Sequence, residues 1–316
     1  MNNDFIPEKI TLPVLVLIGP TAIGKTELSL QLSETFNCEI ISVDSMQVYR
    51  FMDIGTAKIP LSERRSIPHH LIDIVNPDEQ YDAVRFARDC LLTIRNIHNR
   101  SSIPLLTGGT GLYLRALKDG FFDSAPANPE IRNKLLKRIE LDGVNVLHDE
   151  LSLCDSISAS KIHKHDSSRI VRALEVYLST GTPLSTHQKN QPPPGTLFSN
   201  MLTIGLTCDR TRLYERINQR SATMLEGGLE GEVTSLLNMG YTPELKSMQS
   251  IGYRHMVHYL AGNWSEEELK INLAKDTRRY AKRQYTWFNR DESVVWFNHK
   301  DDNRLISFTK SWLQEN

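Results

Sequence analysis

A glycine-rich loop near the amino-terminal end constrains the fold of this chain more than any other feature. The apolar run VLVLI covers residues 14–18, and GPTAIGKT follows directly at residues 19–26. This segment fits the pattern G-x-x-x-x-G-K-[ST], which lies between a strand and a helix. Residues 26–36 then carry helical signals, so the order strand, loop, helix is present. The pattern therefore predicts a P-loop at the edge of an α/β sheet.

The chemistry of phosphate binding explains the spacing of this loop. Glycines let the backbone curl so that its N–H groups converge on phosphate oxygens, and the helix start adds a positive dipole end. Lys25 supplies a full charge, and the Thr26 hydroxyl can bind Mg²⁺. The residues predicted to grip phosphate are Gly19, Pro20, Thr21, Ala22, Ile23, Gly24, Lys25 and Thr26. Such a loop can bind ATP or a diphosphate ester, so it does not identify the substrate.

The remaining apolar runs predict a parallel sheet covered by helices on both faces. Strands are expected at residues 39–43, 70–75, 103–106, 201–206 and 294–297. Helices are expected at residues 83–99, within residues 129–177, and from about residue 210 to residue 288. The segment QPPPGT at residues 191–196 cannot continue a helix and indicates a boundary.

These elements predict an α/β fold with a P-loop NTPase-like parallel sheet core and a helical insertion domain. Residues 1–120 would form the first part of the core, and residues 121–200 the mainly helical insertion. Residues 201–316 would complete the core and add the carboxyl-terminal helices.

Composition indicates the compartment but not the partner. The chain has 37 basic and 38 acidic side chains and a net charge of −1, so a nucleic-acid site would need local clustering of charge. Its four cysteines lie far apart and form no CxxC pair, which is typical of a reducing compartment. The first residues lack the pattern of a signal peptide, and the run ending at Ile18 is too short to span a bilayer. We expect a cytoplasmic protein without a membrane partner, and a monomer.

Asp44 directly follows the apolar segment 39–43. In open α/β sheets ligands bind beyond the carboxyl ends of the strands, where a carboxylate can hold Mg²⁺ or accept a proton. The alternative is an aspartate that caps a turn. Nearby, Gln47 could pair with an adenine edge and Tyr49 could stack on a base, or both could simply pack at the surface.

A basic and aromatic segment, KDTRRYAKRQYTWFNR, covers residues 275–290. Its basic members are Lys275, Arg278, Arg279, Lys282, Arg283 and Arg290, and its aromatic members are Tyr280, Tyr285, Trp287 and Phe288. Basic side chains neutralise phosphates, and aromatic planes stack on unpaired bases. The alternative is an amphipathic helix whose aromatic residues pack on the core.

Residues 163–166, HKHD, invite a metal interpretation, but isolated histidines beside a lysine are more often surface residues or caps. Asp166 is expected to cap the helix that follows it. Arg169 and Arg172 lie three residues apart and could share one helix face toward RNA.

Taken together, these motifs resemble the bacterial tRNA dimethylallyltransferases, also called tRNA isopentenyltransferases. The resemblance covers nearly the whole chain and keeps the family's order. It rests on GPTAIGKT (19–26), DSMQVYRFMDIGTAK (44–58), HHLIDIV (69–75), GGTGLYLRAL (108–117), RIVRALEVY (169–177), IGYR (251–254) and RRYAKRQYTWF (278–288).

The resemblance implies a reaction and its partners. The family transfers the dimethylallyl group of dimethylallyl diphosphate to N6 of adenosine 37, in tRNAs that read codons starting with U. Mg²⁺ assists, and diphosphate leaves. The partners implied are therefore the tRNA anticodon stem-loop and dimethylallyl diphosphate, and the P-loop would hold the diphosphate of the donor rather than a nucleotide.

The resemblance also implies roles for individual residues. The P-loop, with Lys25, would grip the diphosphate, and Asp44 would accept the proton of the attacking amine. Thr110 would hydrogen-bond the donor near the breaking C–O bond, and Arg132 would meet substrate from the insertion. Segments expected to touch tRNA contain Asp44, Ser45, Met46, Gln47, Thr110, Arg132, Ser168, Arg169, Ile170, Val171, Arg172, Gln249, Ser250, Ile251, Gly252, Tyr253, Arg254, Lys282, Arg283, Gln284, Tyr285, Thr286, Trp287, Phe288 and Asn289.

The chain departs from the usual family pattern at a few positions, which bear on how tRNA is gripped rather than on the chemistry. They are Ser156, Lys164, Ser168 and Asn289. Two rival functions remain. A P-loop small-molecule kinase would explain residues 14–26 but not the basic helix, and ATP turnover without RNA would favour it. An RNA-binding protein with a relic P-loop would consume no donor.

Overall fold

Six parallel strands form one sheet in the larger of two units. The computed structural model describes residues 9–64, 66–120, 128–189 and 197–316. The strands are β1 (Val14–Ile18), β2 (Cys38–Val43), β3 (His69–His70), β4 (Ile103–Gly108), β5 (Met201–Thr207) and β6 (Val294–Asn298), in the order β3-β2-β4-β1-β5-β6. Every residue of β1 and β2 is buried, as expected for strands covered on both faces. The predicted α/β sheet is confirmed.

The register of the central strands fixes where the loops of interest meet. Leu17 of β1 lies opposite Thr107 of β4 on one side and Ile204 of β5 on the other. Because all pairs are parallel, the chain leaves β1, β2, β4 and β5 at the same edge of the sheet. The segments that begin at Gly19, Asp44 and Gly109 therefore start side by side.

Thirteen helices are present in the described residues. They are α1 (Lys25–Phe36), α2 (Ala83–Asn99), α3 (Gly111–Asp119), α4 (Pro129–Asp142), α5 (Val144–Cys154), α6 (Ser156–Lys161), α7 (Ser167–Thr180), α8 (Leu184–Lys189), α9 (Arg210–Glu226), α10 (Leu229–Asn238), α11 (Tyr253–Leu260), α12 (Glu266–Phe288) and α13 (Asp302–Glu315). The helix predicted at residues 83–99 matches α2, because Asp82 caps it by accepting the Val84 and Arg85 N–H groups. None of the helices described is long and apolar enough to cross a membrane.

The strand predicted at residues 70–75 is wrong in its extent. Only His69 and His70 pair with β2, because Leu71 and Asp73 adopt left-handed conformations with φ of 59° and 57°. The rest of this segment runs beside residues 47–49 and forms an isolated bridge between Tyr49 and Val75. The run HLIDIV is therefore mainly irregular chain, in which Leu71 and Val75 are buried.

The chain divides into two compact units. The first is Met1–Lys118 with Leu197–Asn316, and the second is Asp119–Thr196. Within the second unit, α4 to α7 pack around a small apolar core that includes Leu135, Leu147 and Leu174. The helical character predicted for residues 129–177 is confirmed, and the unit limits lie close to the predicted boundaries. The segment QPPPGT, which was predicted to mark a boundary, lies outside the described residues.

Candidate active site

The glycine-rich loop joins β1 to α1 in the predicted order. Gly24, with φ of 112°, lies directly before the first residue of α1, Lys25. Gly19 has a positive φ of 153°, and a Cβ atom there would lie only 3.1 Å from the carbonyl oxygen of Leu206 in β5, so both the backbone and the space favour glycine. The Lys25 Nζ donates to the carbonyl oxygens of Gly19 at 2.9 Å and Pro20 at 2.8 Å. The lysine is therefore folded back over its own loop.

Electrostatics at this loop favour an incoming anion. Burial and the nearby Arg220 charge lower the pKa of Lys25 to about 7, although Asp44 acts in the opposite direction. Burial likewise lowers the pKa of Arg220, which Asp44 partly offsets. Two cationic side chains thus lie beside one carboxylate in a poorly hydrated place, where a phosphate would stabilise both charged forms.

Arg220 is a residue that the sequence reasoning missed. It lies on α9, one turn after Arg216, whose Nε donates to the Ala22 carbonyl oxygen at 2.6 Å. The spacing of four residues puts both arginines on one helix face. That spacing is visible in the sequence, but the approach of α9 to the phosphate loop is not.

Asp44 directly follows β2, and its surroundings are compatible with both roles considered for it, a turn cap and a proton acceptor. Its Oδ1 accepts the N–H groups of Met46 at 2.8 Å and Gln47 at 3.3 Å, which caps the turn after the strand. Next to it, the Thr110 hydroxyl oxygen accepts the Ser45 N–H at 3.1 Å. Because Oδ1 makes both capping bonds, Oδ2 stays available among the described residues as a proton acceptor.

Helix α12 passes over this edge of the sheet and contributes two buried polar groups. The Tyr280 hydroxyl is hydrogen-bonded to Thr110 and Gln284, and burial together with the Asp44 charge raises its pKa. The Gln284 Oε1 accepts the Thr21 N–H at 2.9 Å, and its Nε2 donates to the Gly109 carbonyl oxygen at 3.0 Å. Tyr280 was expected only as an aromatic member of the basic segment.

Two side chains near Asp44 do not take the positions proposed for them. Tyr49 is almost fully buried, so its ring cannot stack on a base in this conformation. The Gln47 Oε1 accepts from the Ser42 hydroxyl at 2.9 Å, and its Nε2 donates to the Thr56 carbonyl oxygen at 3.2 Å. Both of its amide atoms are therefore used to hold the loop after β2.

A carboxylate orders the next part of that loop. Glu232 of α10 accepts the backbone N–H groups of Asp53 at 2.8 Å, Ile54 at 2.7 Å and Gly55 at 3.2 Å. The buried Tyr253 hydroxyl donates to the same carboxylate at 2.5 Å. Tyr253, a member of the segment 249–254 that was predicted to touch tRNA, therefore helps to hold the Glu232 carboxylate against this loop.

The segments predicted to touch tRNA contain both exposed and buried residues. Ile170, Val171, Tyr253, Gln284 and Phe288 are buried, so they support these segments from within. The exposed members are Ser168, Arg169, Gln249, Lys282, Arg283, Thr286, Trp287 and Asn289. RNA contact stays a prediction for these exposed side chains and for the half-buried members of the same segments.

Arg132, predicted to meet substrate, lies in the second unit. There it pairs with the buried carboxylate of Glu175 at 3.5 Å, and Arg172 pairs with the same carboxylate at 2.9 Å. Asp166 caps α7 as predicted, by accepting the Arg169 N–H. Lys25, Asp44 and Thr110 are brought to one edge of the sheet in the first unit, whereas the role of Arg132 stays a prediction.

The fold and the site define a P-loop protein of the parallel α/β class that holds a carboxylate beside its phosphate loop. Residues 47–291 match the family model described as IPP transferase, and residues 12–67 match the model described as isopentenyl transferase. The chain belongs to the IPP transferase family.

Individual relatives agree with this assignment. The tRNA dimethylallyltransferase of Desulfotalea psychrophila is 54% identical over 308 residues, which are 98% of this chain and 98% of that protein. The tRNA isopentenylpyrophosphate transferase of Bacillus halodurans is 40% identical with a TM-score of 0.70, covering 96% of this chain and 97% of that one. A eukaryotic dimethylallyltransferase acting on tRNA reaches a TM-score of 0.83 at 31% identity, covering 96% of this chain and 80% of that one.

Proposed function

We propose that this protein transfers the dimethylallyl group of dimethylallyl diphosphate to N6 of adenosine 37 in tRNAs that read codons starting with U. The products are N6-(dimethylallyl)adenosine and diphosphate. The observation that carries the proposal is the meeting of Lys25, Asp44 and Thr110 at one edge of the sheet, in a chain of the IPP transferase family. A monomer in the cytoplasm would suffice for this reaction.

The donor end of the site would stabilise the leaving group. An exocyclic adenine amine is a weak nucleophile, so the C–O bond of the donor must break with substantial charge on the diphosphate. Lys25, Arg220 and the amides of the loop after β1 offer that charge fixed partners in a partly buried place. Because the loop is preorganised by glycines and by α1, little reorganisation accompanies bond breaking.

The acceptor end of the site would manage the proton. Asp44 keeps Oδ2 for the N6 proton while its other oxygen is fixed by the turn. A positioned base of this kind contributes about 10² to 10⁴-fold in rate. Thr110, oriented by the Ser45 N–H and by the Tyr280 hydroxyl, would bond the donor near the breaking bond.

Magnesium fits the chemistry of this loop as an ion shared with the substrate. Thr26 is exposed in the first turn of α1, and Mg²⁺ commonly takes few protein ligands together with substrate phosphates. The described residues contain no group of three His, Cys, Asp or Glu side chains that could hold a metal on their own. When bound, Mg²⁺ would neutralise charge on the departing diphosphate.

The tRNA would be held through its phosphates and through an extruded base. Lys282 and Arg283 are exposed on α12, and the Arg283 guanidinium lies 5.6 Å from the centre of the Tyr280 ring. An adenine must leave its stack to reach the donor, as in other base-modifying enzymes. Exposed cations on the helix that also carries Tyr280 and Gln284 would place the RNA beside the reaction centre.

The proposal is tested by nucleoside mass spectrometry. Purified protein is incubated with Mg²⁺, dimethylallyl diphosphate and unmodified tRNA, and the digested tRNA is analysed for N6-(dimethylallyl)adenosine. A parallel tRNA with guanosine in place of adenosine 37 serves as the control. Absence of the product from the first reaction contradicts the proposal, and ATP turnover without RNA would favour the kinase instead.

A further inference from the structure

Gln284 has an environment unlike that of its neighbours on α12. Lys282 and Arg283 are exposed, whereas Gln284 is only 5% exposed and uses both ends of its side-chain amide. One end accepts the Thr21 N–H at 2.9 Å, in the loop after β1. The other end donates to the Gly109 carbonyl oxygen at 3.0 Å, in the loop after β4.

Helix α12 packs closely against the loop after β4 and against the first residue of α3. A Cβ atom on Gly109 would lie 1.9 Å from the Gln284 Nε2, and a Cβ atom on Gly111 would lie 2.2 Å from the Trp287 Cδ1. Both glycines leave space that side chains of α12 occupy. Contact with the Gly109 backbone also brings Gln284 next to Thr110, whose hydroxyl oxygen accepts the Ser45 N–H beside Asp44.

Three hydrogen bonds and the peptide bond between Gly109 and Thr110 therefore link the two halves of the site. It runs from the Thr21 N–H through the Gln284 amide to Gly109, and from the adjoining Thr110 to the residue after Asp44. The first end belongs to the loop that would hold the leaving group. The second end belongs to the groups that would face the bond that breaks and the amine that attacks.

We propose that Gln284 is a positioning residue for prenyl transfer, and that its amide fixes the separation between the phosphate loop and the Gly109–Thr110 loop. This role rests on the proposed function, and it replaces the expectation that the Gln284 side chain contacts tRNA. Because reacting atoms must lie in near-attack geometry, a shift of about 1 Å between these loops costs about 10²-fold in rate.

The test compares two variants with a matched control. Gln284→Met keeps the length and volume of the side chain but removes both hydrogen bonds. Gln284→Glu keeps the acceptor for the Thr21 N–H, loses the donor to Gly109, and adds a negative charge beside the phosphate loop. Gln314→Met, at an exposed glutamine on α13, makes the same chemical change away from the site.

For Gln284→Met we expect kcat to fall about 10 to 100-fold at saturating substrates, while the Kd for tRNA changes less than about twofold. A purely volume-filling role would leave kcat of this variant unchanged. Wild-type kcat in Gln284→Met, or weaker tRNA binding with normal kcat, would overturn the proposal. Gln314→Met should match the wild-type protein, and thermal unfolding of each variant confirms that it is folded.

A second readout does not depend on catalysis. Inorganic pyrophosphate binding is measured by calorimetry, and we expect Gln284→Glu to weaken it about tenfold because the new charge repels the anion. Unchanged pyrophosphate affinity would place Gln284 away from the phosphate loop and contradict its role. If the wild-type protein binds pyrophosphate but makes no modified nucleoside, the proposed function fails, while this measurement still decides whether Gln284 lies at the phosphate loop.

Discussion

Two cations and one carboxylate dominate the candidate site at the scale of residues. The Lys25 and Arg220 side chains both lie near the single Asp44 carboxylate. Burial disfavours the charged form of each cation, and Asp44 partly offsets that effect. Substitutions at Lys25 or Arg220 are expected to change donor binding, whereas a substitution at Asp44 is expected to change proton transfer.

We expect Asp44→Asn to lower kcat for transfer about 10² to 10⁴-fold while tRNA binding stays nearly intact, because the amide keeps the turn but cannot accept the proton. Single-turnover kinetics and filter binding measure the two quantities. A parallel loss of tRNA affinity would assign Asp44 to RNA binding rather than to proton transfer.

Lys25→Ala removes the charge that folds over the phosphate loop. We expect the KM for dimethylallyl diphosphate to rise and kcat/KM to fall by about 10²-fold, because one charge-assisted partner of the leaving group is lost. Steady-state kinetics with varied donor test this, and kinetics like those of the wild type would refute the role of Lys25.

Arg220→Gln tests the residue that only the fold identified. We expect weaker pyrophosphate binding, by about tenfold, since a half-buried cation beside the loop is replaced by a neutral amide. Arg212→Gln, an exposed position on the same helix, is the matched control. Equal effects of the two substitutions in calorimetry would show that general charge matters, not the place of Arg220.

At the scale of elements, the close contact between α12 and the start of α3 depends on glycine. We expect Gly111→Ala to reduce the free energy of unfolding by about 1–3 kcal/mol, because its Cβ atom would meet the Trp287 ring. Gly231→Ala is the control, since a Cβ atom in α10 would enter open space and should stabilise that helix by about 0.5–1 kcal/mol. Urea denaturation measures both, and a neutral Gly111→Ala would argue for loose packing there.

Strands and helices could be predicted from the sequence where a single local pattern determines them. Continuous apolar runs identified β1, β2, β4, β5 and β6, and an amphipathic pattern identified α2. The run HLIDIV failed because Leu71 and Asp73 turn left-handed, which apolar content does not reveal. Lys58 helps to hold this path by donating to the Asp73 carboxylate at 2.6 Å, a contact over fifteen positions that no local pattern contains.

The site was predictable only in part, for the same physical reason. Lys25, Thr26 and Asp44 follow from the loop pattern and the strand end, which are local. Arg220 and Gln284 act through helices that approach the loop from far along the chain, and Thr21 and Gln284 are 263 positions apart. Such contacts depend on how α9 and α12 pack against each other, and a single sequence does not give that packing.

At the scale of the whole molecule, charge is nearly balanced but unevenly placed. Because the net charge is only −1, attraction to tRNA must come from local groups such as the exposed Lys282 and Arg283. We expect Arg283→Ala to weaken tRNA binding and to reduce the slope of log Kd against log salt by about 1. Lys310→Ala, exposed on α13, is the control, and an unchanged slope for Arg283→Ala would place this side chain away from phosphate.

Glu232 has a consequence for the molecule beyond the loop it orders. Backbone amides that converge as those of residues 53–55 do form a concavity that attracts anions. Because the Glu232 carboxylate already accepts hydrogen bonds from these amides, they attract a phosphate from solution only weakly. At the loop after β1, by contrast, the single carboxylate of Asp44 faces two cations, Lys25 and Arg220, so positive charge remains there for a pyrophosphorylated solute.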